Sequence, residues 1–491
     1  MSKKSVKADQ VRVRMYRHGL GDCFLVRFPK DDGDGAFNVL IDCGLIAVAE
    51  NPRPTMEGVV QNIAAECDNH LDLVIMTHEH WDHASGFSTQ QAQAAFDKID
   101  IDEVWYAWTE DPESRLGRKL RKEREAKVAA LHAASVALKG NGEPLAVERA
   151  ERIMSVLQFF GVANAADLGA LSASGGVGKT RAAFEYLGKR RGVKTRYCYP
   201  DKPPMSLRGV SGVRAYVMGP PQDEAYIKRS TPTKKGQEVY EFAGESMAID
   251  NLAAAFERLG AETRGDGADR PFDGGLCLSL TGSLPPSPKL AELMKGTWDA
   301  ADQAWRKIDL DWTTAAETLA LNLDSHTNNT CLVIAFELTD SGRVLLFAAD
   351  AQIGNWLSWQ ETKWRVKDDG AARDVTGPDL LERAVFYKVG HHGSHNATLR
   401  ALGLEQMTSE DLVAFVPVFA AQAVKNRWLK MPFKPLVQRL KEKTGGRLVF
   451  SDPEMVPPGT KDLQALSATQ RKEFAAALKV DPDFYEYTFE M

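Results

Sequence analysis

The chain has no apolar run approaching the about 18 residues that a membrane-spanning helix needs. Its first ten residues are basic, but no apolar stretch follows them, so neither a secretory leader nor a membrane role is expected and the reading is cytoplasmic. Cysteine is scarce, with six in 491 residues: Cys23, Cys43, Cys67, Cys198, Cys277 and Cys331. No Cys-x-x-Cys spacing occurs, which excludes a zinc knuckle and a thioredoxin-like pair, and leaves small buried apolar side chains. Positive charge is not in excess: 61 Lys and Arg face 67 Asp and Glu, for a net charge of −6. That argues against a nucleic-acid coating protein but leaves room for a local basic track. There is no internal repeat and no low-complexity tract. What remains is a globular chain, 44% hydrophobic, whose length predicts about three domains or one large enzyme domain with insertions.

Period-two alternation of Val11, Val13 and Met15 with Arg12 and Arg14 predicts a half-buried strand. A turn at Gly19-Leu20-Gly21-Asp22 precedes further strands at 23–28, 37–42, 71–76 and 104–108. From about 109 to 320 the pattern is largely helical, at 112–134, 147–160, 180–187 and 288–307, with one strand candidate at 213–218; residues 222–285 are rich in turn formers. A hairpin is expected at 330–348, strands at 384–389, 412–418 and 447–451, and helices at 435–444 and 468–478. The expected division is 11–108, a helical insertion over 109–320, a second half over 321–452, and a tail over 453–491.

The most informative run is Thr77-His78-Glu79-His80-Trp81-Asp82-His83, directly after an apolar strand. Three imidazoles and two carboxylates are costly to bury in an apolar core, but together they suit zinc, iron or manganese. In a loop, positions i and i+2 can converge on one ion while i+4 and i+5 turn toward a second. Glu79 and Trp81 are expected to face away, as packing or solvent residues.

This His-x-His-x-Asp-His run resembles the signature of the metallo-β-lactamase fold. Leu40-Ile41-Asp42-Cys43-Gly44 is similar to that family's Asp at a strand end. Ser325-His326-Thr327-Asn328-Asn329-Thr330 stands where a third histidine precedes a hairpin, and Leu345-Leu346-Phe347-Ala348-Ala349-Asp350 ends that hairpin in Asp. Tyr387-Lys388-Val389-Gly390-His391-His392-Gly393-Ser394 supplies the last histidine in duplicate. The resemblance implies an αββα sandwich, of class α/β, carrying a large and mostly helical insertion. It also implies one ion held by His78, His80 and His326, and a second held by Asp82, His83 and His391 or His392. Asp350 would bridge the two, and Asp42 would orient a ligand imidazole.

Within the superfamily the chain resembles the hydrolase domain of ComEC-type competence proteins. Gly19-Leu20-Gly21-Asp22-Cys23 is similar to their Gly-x-Gly-Asp-Ser, and Asn328-Asn329-Thr330-Cys331-Leu332-Val333 to their Asn-Asn-x-Ser-Leu-Val. Lys388-Val389-Gly390-His391-His392-Gly393-Ser394 is similar to Lys-Val-Pro-His-His-Gly-Ser. Phosphorylcholine esterases share the double histidine, so that motif does not set the substrate. The chain departs in having no membrane channel and in placing Met431-Pro432 where a late His-Pro is expected. The 109–320 stretch has no counterpart.

Two divalent ions sharing Asp350, zinc first and manganese or iron next, would bring a bridging water near neutrality in pKa and give a hydroxide nucleophile. Asp82 or His395 could then protonate the leaving oxygen, while Ser394 and Asn396 could bind a phosphate. Basic clusters at 115–127, 189–196 and 427–434 are solvated faces or a track for a polyanion. Ala173-Ser174-Gly175-Gly176-Val177-Gly178-Lys179-Thr180 resembles a phosphate-binding loop but lacks a convincing strand before it, which favours coincidence. The expected function is hydrolysis of a phosphodiester in nucleic acid or a nucleotide. Alternatives are hydrolysis of a small ester, lactone or thioester, and a partner-controlled subunit of a toxin or defence assembly docking through 109–320.

Overall fold

The computed structural model describes residues 10–33, 35–46, 54–88, 91–141, 144–162, 178–229, 288–297, 300, 311–368, 370–426, 428 and 430–491. The strands are β1 (Gln10–Tyr16), β2 (Cys23–Pro29), β3 (Ala36–Cys43), β4 (His70–Met76), β5 (Asp100–Ala107), β6 (Lys194–Cys198), β7 (Met205–Leu207), β8 (Val210–Gly219), β9 (Val333–Leu338), β10 (Arg343–Phe347), β11 (Lys363–Asp368), β12 (Ala371–Thr376), β13 (Ala384–Lys388), β14 (Val413–Val416), β15 (Leu448–Phe450), β16 (Leu478–Val480) and β17 (Phe484–Glu490). Among the described residues one sheet runs β16-β17-β1-β2-β3-β4-β5-β6 and a second runs β15-β14-β13-β10-β9-β8-β7; β11 and β12 pair apart. Both large sheets are mixed, antiparallel at one side and parallel at the other, so the class is α/β.

Alternation sets the layers. Val11, Val13, Met15, Ile41 and Ile75 of the first sheet share one core with Val217, Ile334, Phe336, Leu345 and Phe386 of the second. Phe24 meets Phe347 edge-on at 6.0 Å, and Phe28 meets Phe336 at 5.1 Å. The outer face of the first sheet takes the Met56–Glu66 helix, which Thr55 caps by accepting from the Gly58 amide. Its Met56, Val59, Val60 and Ile63 follow the helical period and pack with Leu25, Leu40 and Val74. On the second sheet, Ile153, Trp356, Leu381 and Leu440 from four helices cover Leu346, Tyr387 and Val416.

Three expectations change. The 109–320 stretch is not wholly an insertion: β6 continues the first sheet beside β5, and β8 pairs with β9 in the second. The charged run Lys194-Thr195-Arg196 is an exposed edge strand, a position where charge suppresses further pairing. The 453–491 stretch is not a tail, because β17 pairs with β1 along its whole length. Arg14, expected on a wet face, is therefore buried. It donates to Glu486 at 2.9 and 2.6 Å and to Asn62 at 2.8 Å, under the Phe484 ring. Residues 230–287 and 301–310, which include most of the turn-rich segment, lie outside the described ones, as does Cys277; the other five cysteines are free and buried. Among the described residues no helix is long and apolar enough to cross a membrane.

Candidate metal centre

The candidate residues gather where parallel strands end, the usual place for sites in such sheets. β3 ends in Asp42-Cys43, and β4 runs into the 77–83 loop; β10 runs into Asp350, and β13 into His391-His392. The turn between β1 and β2 brings Asp22 to the same edge: its amide donates to the Asp82 carbonyl at 3.0 Å, and its carbonyl accepts from Gly44. Three segments meet here so closely that a Cβ on Gly44 would lie 2.2 Å from the Asp82 carbonyl carbon. Asp42, Ala349, His391 and His392 all take left-handed backbone angles, with φ from 41° to 54°, a sparsely populated region for these residues.

Two groups of ligand atoms face inward. His392 Nε2 lies 2.8 Å from Asp82 Oδ2 and 3.9 Å from Asp350 Oδ2; His83 Nε2 lies 3.1 Å from Asp350 Oδ2 and 3.7 Å from Asp82 Oδ2. Tetrahedral ligands at about 2.0–2.1 Å from a zinc ion would stand about 3.3 Å apart, and the four spacings bracket that edge. The other ring nitrogens are held from behind, His83 Nδ1 by Asp42 at 2.8 Å and His392 Nδ1 by the Pro417 carbonyl at 2.6 Å. Asp42 also accepts from the Thr77 amide and hydroxyl, at 2.8 and 2.6 Å. In the second group His78 Nε2 lies 3.0 Å from His80 Nδ1. Buried and without a hydrogen-bond partner are Asp82 Oδ1, His80 Nε2 and His391 Nε2, while Asp350 Oδ2 and His83 Nε2 face only each other across 3.1 Å. So many orphaned polar atoms in one place are costly unless a cation satisfies them, and imidazole with carboxylate is a fitting donor set.

The electrostatics divide the histidines. Burial opposes a charge on His83, but Asp350, Asp22, Asp82 and Asp42 outweigh it and lift its pKa well above the usual value. His392 is raised as well, against burial, by the Asp82 hydrogen bond and by Asp350. Burial and neighbouring imidazoles push His78 well down and His80 to about 3, despite the pull of Asp82 and Asp350 on His80. Burial holds His391 at about 4. Burial would raise Asp350, yet His83 and Lys388 keep it well below the usual carboxylate range.

Two members of this edge went unassigned in the sequence. Lys388, buried, pairs with Asp22, donates to the Ala349 carbonyl at 2.8 Å and reaches Asp350 at 3.3 Å. Asp22, His83, Asp350 and His392 present possible ligand atoms within 4.8 Å of one another. Asp22 stands 3.7 Å from the Nδ1 atoms of both His83 and His392, behind the rings, so its place is that of a counter-charge to Lys388. Both residues stood inside the motifs quoted above, which were the available signal.

Of the doubled histidines, His392 faces Asp82 and Asp350. His391 is turned by Ser394 at 2.9 Å and Gln352 at 3.2 Å on Nδ1, leaving Nε2 toward the site. Ser394 and Asn396 bond each other, and Asn396 bonds Gln352 at 2.8 Å, so the two side chains help orient His391. His395 is half-buried, its ring 6.2 Å from that of Phe433.

His326 is not brought to the other imidazoles. It lies in the last turn of the Asp311–Asn328 helix, lining a small cavity with Lys127 and Lys228; burial and these two cations lower its pKa to about 4. At about 100° per residue, a helix that turns Asp324 and Asn328 toward the site turns His326 away. Those two are bonded at 3.1 Å, and each keeps a buried oxygen without a partner. Burial and the charges of Asp350 and Asp82 raise Asp324 to about 8. No motif marks Asp324, since only its helical phase brings it to the site.

The basic clusters are largely engaged. Lys119 pairs with Glu224, Arg124 with Glu79, Lys189 with Glu185 and Arg196 with Glu103; Arg190 donates to the Phe96 and Ile99 carbonyls. Arg427 lies outside the described residues, as do 173–177 of the loop-like run, whose Lys179-Thr180 begins a helix. His70, Asp72 and Asp102 form another group of ligand types, but Lys30, the Asn38 amide and Arg208 already meet its carboxylates. No family model and no curated protein matches the chain.

Proposed function

We propose that the chain is a dinuclear metal-dependent hydrolase with a metallo-β-lactamase αββα fold of ComEC-like type, acting on phosphodiesters of nucleic acid or nucleotides. The observation that carries this reading is the convergence of His83, His392, Asp82 and Asp350, with nitrogen-to-oxygen spacings of 2.8 to 3.9 Å, beside the His78–His80 pair. Divalent ions bound there, zinc by the donor set, would supply Lewis acidity that activates water and neutralises charge on a phosphoryl group. His78 and His80 would hold one ion; Asp82, His83 and His392 the other, with Asp350 between them. Asp42 and the Pro417 carbonyl fix the tautomers of His83 and His392, so their Nε2 atoms stay available. Asp82 Oδ1, buried and unpartnered, would take or give a proton at the leaving oxygen.

The test is metal analysis followed by turnover of bis-p-nitrophenyl phosphate on metal-loaded protein. About two ions per chain, with cleavage abolished in Asp82→Ala, is the expected result. Activity confined to carboxyl esters, lactones or thioesters would move the reading to that substrate class. Fewer than one tightly bound ion would sink it.

A further inference from the structure

Glu79 stands between His78 and His80, yet its carboxylate points away from them into a ring of alternating charge. Its Oε2 accepts from Arg124 at 2.5 Å and from Arg181 at 3.2 Å. Glu110 closes the ring, paired with Arg181 and 3.6 Å from Arg124. The side chains are 9% (Arg124), 12% (Glu79), 18% (Arg181) and 4% (Glu110) exposed. They come from four segments: the 77–83 loop, the Trp108–Glu110 turn after β5, the Arg115–Asn141 helix and the Lys179–Gly188 helix. Each carboxylate meets two guanidinium groups, and removing one charge would leave another buried and uncompensated. Burial would raise Glu110, but Arg181, Arg124 and Arg121 hold it below the usual carboxylate range.

The ring therefore grips the middle residue of a His-Glu-His run whose flanking imidazoles stand 3.0 Å apart. That spacing depends on the backbone at Glu79, where the His80 amide turns back to the His78 carbonyl at 3.0 Å. The other group of ligands is aligned by different means, Asp42 and the Pro417 carbonyl, neither of which touches the ring. We infer that Glu79 is a positioning residue: through Arg124 and Arg181 it sets the angle between His78 and His80, and so the affinity for the ion they share. The inference rests on the dinuclear reading above. It gives the helices of the 109–229 stretch a part in the metal centre beside that of Phe159 and Phe160, whose rings lie 5.5 and 4.8 Å from that of His80.

The experiment is titration of the full chain with Co²⁺, following stoichiometry by calorimetry and geometry by visible absorption. The wild-type chain should take two ions. Glu79→Gln keeps the shape and removes the charge; it should retain one ion at unchanged affinity and bind the other at least tenfold more weakly. Arg181→Lys should shift the same ion in the same direction, and it carries the test should Glu79→Gln fail to fold. Glu103→Gln, which breaks the remote Arg196 pair, should leave both ions unchanged. Two ions at wild-type affinity in Glu79→Gln would overturn the inference. Equal weakening of both ions, with a lowered melting temperature, would also overturn it, since a general loss of structure has no reason to choose between them. A wild-type chain that takes fewer than two ions would instead defeat the dinuclear reading.

Discussion

Asp42 and His83 are joined at 2.8 Å, carboxylate to Nδ1, by an aspartate whose backbone sits at φ 54°. The carboxylate thereby serves both the ligand ring and, through Thr77, the entry to the histidine loop. Asparagine tolerates the same backbone region, so Asp42→Asn should fold while removing the charge behind the imidazole. We expect metal affinity to fall by about 10–100-fold, the range for losing such a partner. Competition against a chelator measures it, and an unchanged affinity would separate Asp42 from the metal.

Lys388 should matter for stability before it matters for turnover. It is buried between Asp22 and Asp350, and Lys388→Met would leave the buried Asp22 without its paired cation and take one positive charge from Asp350. Urea unfolding should show a loss of about 3–5 kcal/mol. Adding Asp22→Asn to that variant should recover part of it, because the two substitutions act on one pair.

His326 supplies a prediction with a definite pH window. Its folded pKa, about 4, lies below the about 6.5 of an unfolded histidine, so between these values the unfolded chain binds more protons. Its contribution to stability is complete above the upper value and is lost as pH falls toward the lower one. In His326→Gln the pH dependence of stability across that window should flatten by at most about 1.4 kcal/mol per pH unit. Metal content should not change, whereas loss of an ion would return His326 to the ligand set implied by the family resemblance.

Gly44→Ala tests the close approach of three segments. The added methyl would sit 2.2 Å from the Asp82 carbonyl carbon and 2.3 Å from the His83 amide nitrogen. Backbone cannot yield as a side-chain tip does, so a loss of about 1–3 kcal/mol or more is expected, with weakened metal binding. A melting curve and metal content matching wild type would show that the turn relaxes without moving Asp82.

Much of this centre was legible because strand-end motifs are local. Asp42, the 77–83 loop, Asp350 and His392 each stand at or just past the end of a short apolar run that marks a buried strand. His326 and Asp324 show where locality fails: which of them faces the site depends on the phase of an 18-residue helix, which a motif does not record. Strands β6 and β17 were missed for another reason. Lys194-Thr195-Arg196 reads as a basic patch because an edge strand is mostly wet, and Phe484–Glu490 is a strand only because β1 lies beside it. The pairing of Glu79 with Arg124 and Arg181, across 45 and 102 positions of sequence, had no local signature at all.

The pairing of β1 with β17 also has a bearing on biosynthesis. Arg14 and Glu486 are 472 positions apart. At about 5–20 residues per second, a ribosome would leave Arg14 waiting roughly 25–95 s for its counter-charge. Through that interval β1 offers an unpaired edge to any neighbouring nascent chain. Production of this protein should accordingly be limited by what shields that edge, and slower synthesis should lengthen the exposure.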